Sequence, residues 1–246
     1  MAIKNILIMG AGHGIGLSLV KKSIERFTEA KIFASYRLHD RAHELLSLAN
    51  ENLISSKVDP SLEEDISSLK EKILEYTEEL DLVIMCMGVL DSESSLAEKR
   101  IDDVKLETMM HAFKANSLSH ALSVKHLKPL LRKKNKTVLA HLSARVGSIK
   151  ENELGGWYSY RMSKASLNML VKNLDLEFRR SQFNCSVLAI HPGTTHTELS
   201  QKYLKSVKYK IYSSDETAEH ILDLTENIDE TASGKFLQWD GSEIEW

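Results

Sequence analysis

At 246 residues, 42% hydrophobic and 27% charged, the chain has an ordinary globular composition and is long enough to bury one large α/β core or two small ones. A formal charge of −3 and a pI near 6.4 give no reason to expect nucleic acid or an anionic membrane as a partner. No segment approaches the roughly 20 apolar residues of a membrane span. Met1-Ala2-Ile3-Lys4 runs straight into a strand with no signal-peptide layout, so the expected setting is cytoplasmic.

In chain order, residues 3–9 form a nearly continuous apolar run that predicts a strand. The turn Gly10-Ala11-Gly12-His13-Gly14-Ile15-Gly16 follows, and then a helical period over 15–27. A second strand over 31–36 leads to a helix over 40–50, and a third over 53–58 to a charged amphipathic helix over 61–79. The fourth strand, 81–87, ends at Gly88 ahead of a polar loop at 91–100. Residues 103–131 predict one long helix that holds Asn116. It ends in the basic run Arg132-Lys133-Lys134-Asn135-Lys136, cations that complement a helix C-terminus. Strand five covers 137–142, a helix 157–180 and strand six 185–190, where His191-Pro192-Gly193 breaks the pattern. An irregular stretch over 194–214 precedes a helix over 215–225 and a short strand over 235–238. Strands alternating with helices, themselves with little polar alternation, indicate a parallel sheet covered on both faces. No composition break or repeat divides the chain, so a single domain over 1–246 is expected.

The chemistry centres on Tyr160-Arg161-Met162-Ser163-Lys164. A spacing of four puts Tyr160 and Lys164 on one helical face, where an ammonium favours the phenolate and lowers a pKa otherwise about 10. Such a phenol exchanges a proton with a carbinol oxygen near neutral pH. Taken alone, the motif also describes a solvated helical pair. Gly10-x-x-x-Gly14-x-Gly16, with Gly12 a further flexible point, lies between the first strand and the first helix. There a pyrophosphate can approach the backbone and meet the helix N–H groups; a plain tight turn has the same residues. Where the second strand ends, at Ser35-Tyr36-Arg37, no carboxylate stands ready for ribose hydroxyls. Arg37 offers a fork suited to a 2′-phosphate, which favours NADP(H) while leaving NAD(H) possible through Asp40. Asp59 can accept from an adenine amino group or cap the helix after Pro60. The histidines show no metal-ligand spacing, and no Gly-x-Ser-x-Gly elbow points to a hydrolase.

In that order, Gly10-x-x-x-Gly14-Ile15-Gly16, Asp59, Asn116, Tyr160-x-x-x-Lys164 and His191-Pro192-Gly193 resemble the short-chain dehydrogenase/reductase family, over essentially the whole chain. Leu142-Ser143-Ala144-Arg145-Val146-Gly147-Ser148-Ile149, Gly155-Gly156-Trp157-Tyr158-Ser159-Tyr160-Arg161 and Trp239-Asp240-Gly241-x-x-Ile244-x-Trp246 look like its C-factor (cell–cell signalling) branch. The resemblance implies a Rossmann-type, doubly wound α/β sheet of seven parallel strands, order 3-2-1-4-5-6-7, that binds NAD(P)(H). On that order Cys86 and Cys185 lie two strands apart, roughly 9–10 Å, beyond the ~7 Å reach of a disulfide.

Carried over, Tyr160 is the catalytic acid/base, and Lys164 lowers its pKa and holds the nicotinamide ribose. Asn116 positions a water in a proton relay behind Lys164; read as a bare residue, it is a helix-interior amide bonding locally. The cofactor would meet Gly10, Gly12, His13, Gly14, Ile15, Gly16, Arg37, Asp59 and Gly88. Pro192 and Gly193 would pass near the nicotinamide, with Thr194, Thr195 or Thr197 reaching the carboxamide or phosphates. Family members pair through long helices, so a homodimer or homotetramer is implied.

Two departures stand out. The serine that polarises the substrate carbonyl is replaced by Ala144, leaving Ser143 as the candidate substitute and Ser148 behind it, although a one-residue shift turns a side chain to the other face. The strand-four Asn-Asn-Ala-Gly is Met85-Cys86-Met87-Gly88, where thioether packing is expected to replace amide bonds between strands. Two functions fit. The first is an NAD(P)H-dependent carbonyl reductase or alcohol dehydrogenase acting on a small carbonyl or alcohol. The second is a C-factor-like dinucleotide-binding signalling or regulatory protein with little turnover. The substrate would be shaped by 91–100, 149–156 and 194–214, the last long enough to form a lid.

Overall fold

The computed structural model describes residues 3–48, 50–91, 97–131 and 136–246. Seven parallel strands form one sheet in the order β3-β2-β1-β4-β5-β6-β7. They are β1 (Asn5–Met9), β2 (Lys31–Tyr36), β3 (Leu53–Lys57), β4 (Leu82–Met85), β5 (Thr137–Leu142), β6 (Cys185–His191) and β7 (Lys235–Gln238). Within each strand, side chains alternate between two apolar layers. Leu7, Met9, Val83 and Leu139 meet α3 (Glu63–Leu74), α5 (Ser119–Leu127) and α6 (Tyr158–Arg180). Ile6, Ile8, Ile84 and Val138 meet α1 (Gly14–Arg26) and α7 (Ser214–Asn227). Because both faces are buried, the strands carry the near-continuous apolar runs seen in the sequence.

Helix lengths differ from the expectation, for identifiable reasons. The helix expected over 40–50 shrinks to a 3₁₀ turn, His39–Arg41, and one α-turn, α2 (His43–Leu46). Only Ala42 and Leu45 are buried there, too narrow a stripe to sustain more. The long helix expected over 103–131 begins at Leu106 and is interrupted. α4 (Leu106–Phe113) passes through a π-helical turn, Lys114–Leu118, into α5, and Pro129 then tightens the chain into a 3₁₀ turn, Lys128–Leu130. The basic run at 132–136 lies, apart from Lys136, outside the described residues. Cys86 and Cys185 are both free thiols.

Met85 and Met87 are buried in the core, as the thioether substitution anticipates, but a second device ties this region together. On α5, His120 places Nε2 3.1 Å from Met87 O and Nδ1 3.0 Å from His141 Nδ1 on β5. A carbonyl only accepts, so His120 donates from Nε2. Its Nδ1 then accepts the hydrogen on His141 Nδ1, and both tautomers are set. Burial and the charge of Lys164 push His141 down to about 3, and burial, His141 and Lys164 lower His120 likewise, so the pair is neutral. His120→Leu leaves Met87 O and the His141 donor unpaired and is expected to destabilise the fold by about 3 kcal/mol, whereas His120→Leu with His141→Leu recovers most of that. Urea unfolding of the two singles and the double checks it; a double variant at or below the sum of the singles would refute the pairing.

Candidate active site

A groove opens at the C-terminal ends of β1, β2, β3 and β4 and reaches Leu142 at the end of β5. The glycine turn forms its floor. Gly10 has φ +82°, and a Cβ on it would approach Met87 N to 3.1 Å; a Cβ on Gly16 would stand 2.2 Å from Gly10 O. These two positions admit no side chain, and they bring the first turn of α1 against the groove with no acidic residue in it. His13, at the helix N-cap position, makes no capping bond. Burial lowers its pKa, Glu198 opposes this, and Arg41 and Arg37 add to it. Around the first turn of α1 the lining is thus backbone N–H, a neutral imidazole and cations, a surface for phosphate.

Arg37 lines this groove as expected, and so does Arg41 from the 3₁₀ turn after β2. Arg41 escaped the sequence reading because a helix expected from residue 40 gave it no particular direction. Asp59 also lines the groove, with Oδ1 accepting from Ser61 N at 2.9 Å and Ser61 Oγ at 2.6 Å. Burial raises its pKa, but the Ser61 bonds and the charge of Arg37 outweigh burial and hold it low. Asp59 therefore caps the turn and faces the groove at once.

Tyr160 and Lys164 lie one turn apart at the start of α6, 8% and 4% exposed. Lys164 Nζ donates to Leu142 O at 2.8 Å and lies 5.9 Å from the Tyr160 ring centroid. A Cβ on Gly88 would fall 3.4 Å from Nζ and 3.2 Å from Asn116 Oδ1, so the bare glycine keeps this meeting point open. The Tyr160 hydroxyl has no hydrogen-bond partner among the described residues. Lys164 was expected to lower the phenol pKa, yet within the chain burial dominates and pushes Tyr160 up, while burial lowers Lys164 to about 8.

Asn116 departs from a locally bonded amide. Its Oδ1 accepts from Val89 N at 2.6 Å, and its Nδ2 donates to Val89 O at 2.8 Å and Ser163 Oγ at 2.9 Å. The side chain clamps the strand exit to α6, and the π turn presents it there. Both amide hydrogens are committed in that clamp.

Three expected groups point elsewhere. Ser143 Oγ donates to Asn168 Oδ1 at 2.6 Å, one helical turn beyond Lys164, while Ala144 packs against the cluster of Leu90, Ala97 and Tyr160. The loop has not shifted; alternation along the extended chain turns Ser143 under α6 and leaves a methyl group in that cluster. Ser148 Oγ donates to Glu245 O at 2.5 Å, fixing the C-terminal segment. Thr195 Oγ1 pairs with Thr217 Oγ1 at 2.8 Å, whereas Thr197 reaches the groove, its methyl group 3.6 Å from a Cβ placed on Gly14. Gly193 has φ +81°, and a Cβ on it would stand 3.1 Å from the rings of Trp239 and Tyr212. Among the described residues, no three His, Cys, Asp or Glu side chains gather as a metal site. The sequence reading also missed Glu98 and Tyr203, which join the Tyr160 surroundings only through contacts between distant segments, and Trp157, three residues before Tyr160, whose ring meets the tyrosine's.

A doubly wound parallel sheet with a glycine-floored groove and a buried Tyr–Lys pair at its edge defines a dinucleotide-dependent dehydrogenase fold and site. The short chain dehydrogenase family pattern matches residues 4–208, and the chain belongs to that family. It is 27% identical over 255 residues to 1-hydroxy-2-glutathionyl-2-methyl-3-butene dehydrogenase of Rhodococcus sp. (strain AD45), covering 99% of this chain and all of that one. To C-signal of Myxococcus xanthus it is 28% identical over 146 residues, 59% of this chain and 83% of that protein. The NADPH-bound carbonyl reductase from chicken fatty liver superposes with a TM-score of 0.88 at 26% identity, covering 100% of this chain and 95% of that one. The chain is an NAD(P)H-dependent oxidoreductase of the carbonyl reductase or alcohol dehydrogenase type.

Burying Lys164 has a measurable consequence. Its folded pKa of about 8 lies below the unfolded 10.5, so the penalty is full below pH 8 and is relieved as pH rises toward 10.5. Lys164→Met is expected to be more stable than the parent by about 2 kcal/mol at pH 7, the bond to Leu142 O being lost with the charge. That gap should narrow between pH 8 and pH 10 in denaturant unfolding; a constant gap would show that the ammonium is not the cause.

Proposed function

We propose that this chain reduces a small-molecule carbonyl with NADPH as the preferred cofactor, Tyr160 giving the proton. The observation that carries the reading is the unpartnered Tyr160 hydroxyl beside Lys164, where the groove ends at Leu142. The residues fit a dinucleotide: Gly10 and Gly16 admit no side chain, and Gly88 keeps the space before Lys164 and Asn116 bare. Arg37 and Arg41 would take the 2′-phosphate, and the first turn of α1 the pyrophosphate. Lys164, with N–H groups beyond the one given to Leu142 O, would hold ribose hydroxyls.

When bound, the cofactor supplies the hydride that the carbonyl carbon receives. Tyr160 donates its hydroxyl proton to the carbonyl oxygen as the C=O π bond breaks, and the resulting phenolate is stabilised by the nearby ammonium. Burial holds the phenol protonated until a substrate oxygen develops charge. Asn116 keeps Val89 and α6 in register, so that Gly88 and Lys164 stay opposed.

Two free cysteines suit a reducing, cytoplasmic setting. Exposed Leu106 and Met110 on α4, with Met162, Met169 and Leu176 on α6, offer an apolar face for a second copy of the chain. Light scattering of purified protein tests this, a concentration-independent monomer counting against it.

Tyr160→Phe should lower kcat by about 10²–10⁴ with NADPH affinity unchanged. Arg37→Ser and Arg41→Ser should each weaken NADPH binding at least about tenfold and leave NADH binding within twofold. Stopped-flow fluorescence and steady-state rates with NADPH and NADH check both. Full turnover in Tyr160→Phe would end the catalytic assignment, and equal losses for both cofactors would end the phosphate assignment.

A further inference from the structure

Among the described residues two carboxylates are almost wholly buried, Asp175 and Glu98. Asp175 is accounted for by Arg179, Nε to Oδ1 at 2.8 Å, and by Ser233 Oγ. Glu98 is 3% exposed and pairs with no cation among the described residues. A carboxylate taken out of water is costly unless hydrogen bonds hold it. Every bond of Glu98 goes to one place, the start of α6. Its Oε2 accepts from Ser159 N at 3.2 Å, its Oε1 from Ser159 Oγ, and its backbone O from Trp157 N at 2.5 Å.

That helix end lacks the means to cap itself. An ordinary N-cap is extended and carries a Ser, Thr, Asp or Asn oxygen that accepts an N–H two or three residues on. Trp157 stands there instead, left-handed at φ 51° and ψ 43°, after Gly155 and Gly156 at φ 62° and 65°. An indole offers no acceptor, and the first turn of α6 holds no acidic residue. Glu98, 61 residues earlier in the chain, supplies the missing oxygen, and its negative charge suits a helix N-terminus. α6 is thereby pinned at two heights, at Ser159 by Glu98 and at Lys164 by Leu142 O. Tyr160 lies between the two pins. Without the first, the opening turn would be free to fray, and that turn carries the tyrosine.

We propose that Glu98 is a positioning residue for the reaction: as the remote cap of α6 it fixes the first turn, and with it the direction of the Tyr160 hydroxyl. The proposal rests on the reductase reading, since it gives Glu98 a task in placing the proton donor. Glu98 does not line the groove, so it acts through Ser159 and not on the cofactor. Its effect belongs to reach more than to charge, because a donor displaced by about 1 Å loses on the order of a hundredfold in rate.

The test uses the full chain with NADPH and whichever of benzaldehyde, cyclohexanone and 2,3-butanedione wild type reduces fastest, with kcat counted per NADPH-binding site so that unfolded protein drops out. Glu98→Ala should lower kcat at least about tenfold, with KM and NADPH affinity within about threefold of wild type. Glu98→Gln, whose amide accepts from Ser159 N and donates to Ser159 Oγ, should return kcat to within about threefold of wild type. Glu98→Asp keeps the charge, loses the reach and should behave as Glu98→Ala does. Independently of turnover, residue-resolved hydrogen exchange should show amides 159–161 accelerated in Glu98→Ala at least about tenfold more than those of β1. Wild-type kcat per site in Glu98→Ala, a loss confined to KM or NADPH affinity, rescue by Asp but not by Gln, or equal acceleration at β1 and at the start of α6 would each overturn the positioning role. Should wild type reduce none of the three carbonyls, the reductase reading falls, and the exchange measurement still decides for or against the cap.

Discussion

The bond from Lys164 Nζ to Leu142 O joins a buried ammonium to the end of β5, and the rest of the site is arranged around it. It fixes α6 lengthwise along the sheet, which places Tyr160 one turn earlier, beyond the strand ends. It also demands that nothing bulky or cationic stand nearby. Gly88 has no side chain where one would press on Nζ, and His120 and His141 are locked as neutral tautomers by their own hydrogen bonds. A protonated histidine in that interior would face the ammonium in a medium that screens poorly. Neutrality of the pair is thus a condition for the charge on Lys164.

That charge makes the region costly to fold and useful at once. An ammonium almost out of water is close to releasing its proton, its pKa lowered to about 8. A chain selected only for stability would place a methionine there. Asn116 supplies the counter-order, binding both backbone groups of Val89 and the hydroxyl of Ser163, so the strand exit cannot drift away from α6. A buried polar group with every valence satisfied stiffens its surroundings, whereas an unsatisfied one loosens them.

What could be read from the sequence was what depends on neighbours in the chain. Apolar runs gave the sheet and its two layers, glycine spacing the turn that opens α1, and a separation of four the Tyr160–Lys164 pair. Readings that required contacts between distant segments fell short. The partner of His141 lies 21 residues away and that of Asn116 27 and 47 residues away, so neither bond leaves a local trace. The π turn is equally silent, since its residues keep helical spacing on either side. Ser143 was a choice between adjacent positions of an extended chain, settled only by which face meets Asn168. The helix expected over 40–50 overestimated what two buried side chains can sustain, and that error hid Arg41.

The two ends of the crevice contrast in a way that orients the reaction. One end gathers Arg37, Arg41, His13 and the first turn of α1, all favourable to negative charge. The other ends at Leu142, whose carbonyl accepts from the Lys164 ammonium, with Tyr160 one turn earlier on α6. On the proposed function, a molecule bearing phosphates at one extremity and a ring at the other would meet the cations and the helix N–H groups with its phosphates. Polarity along the groove would then orient that molecule before any specific contact is made.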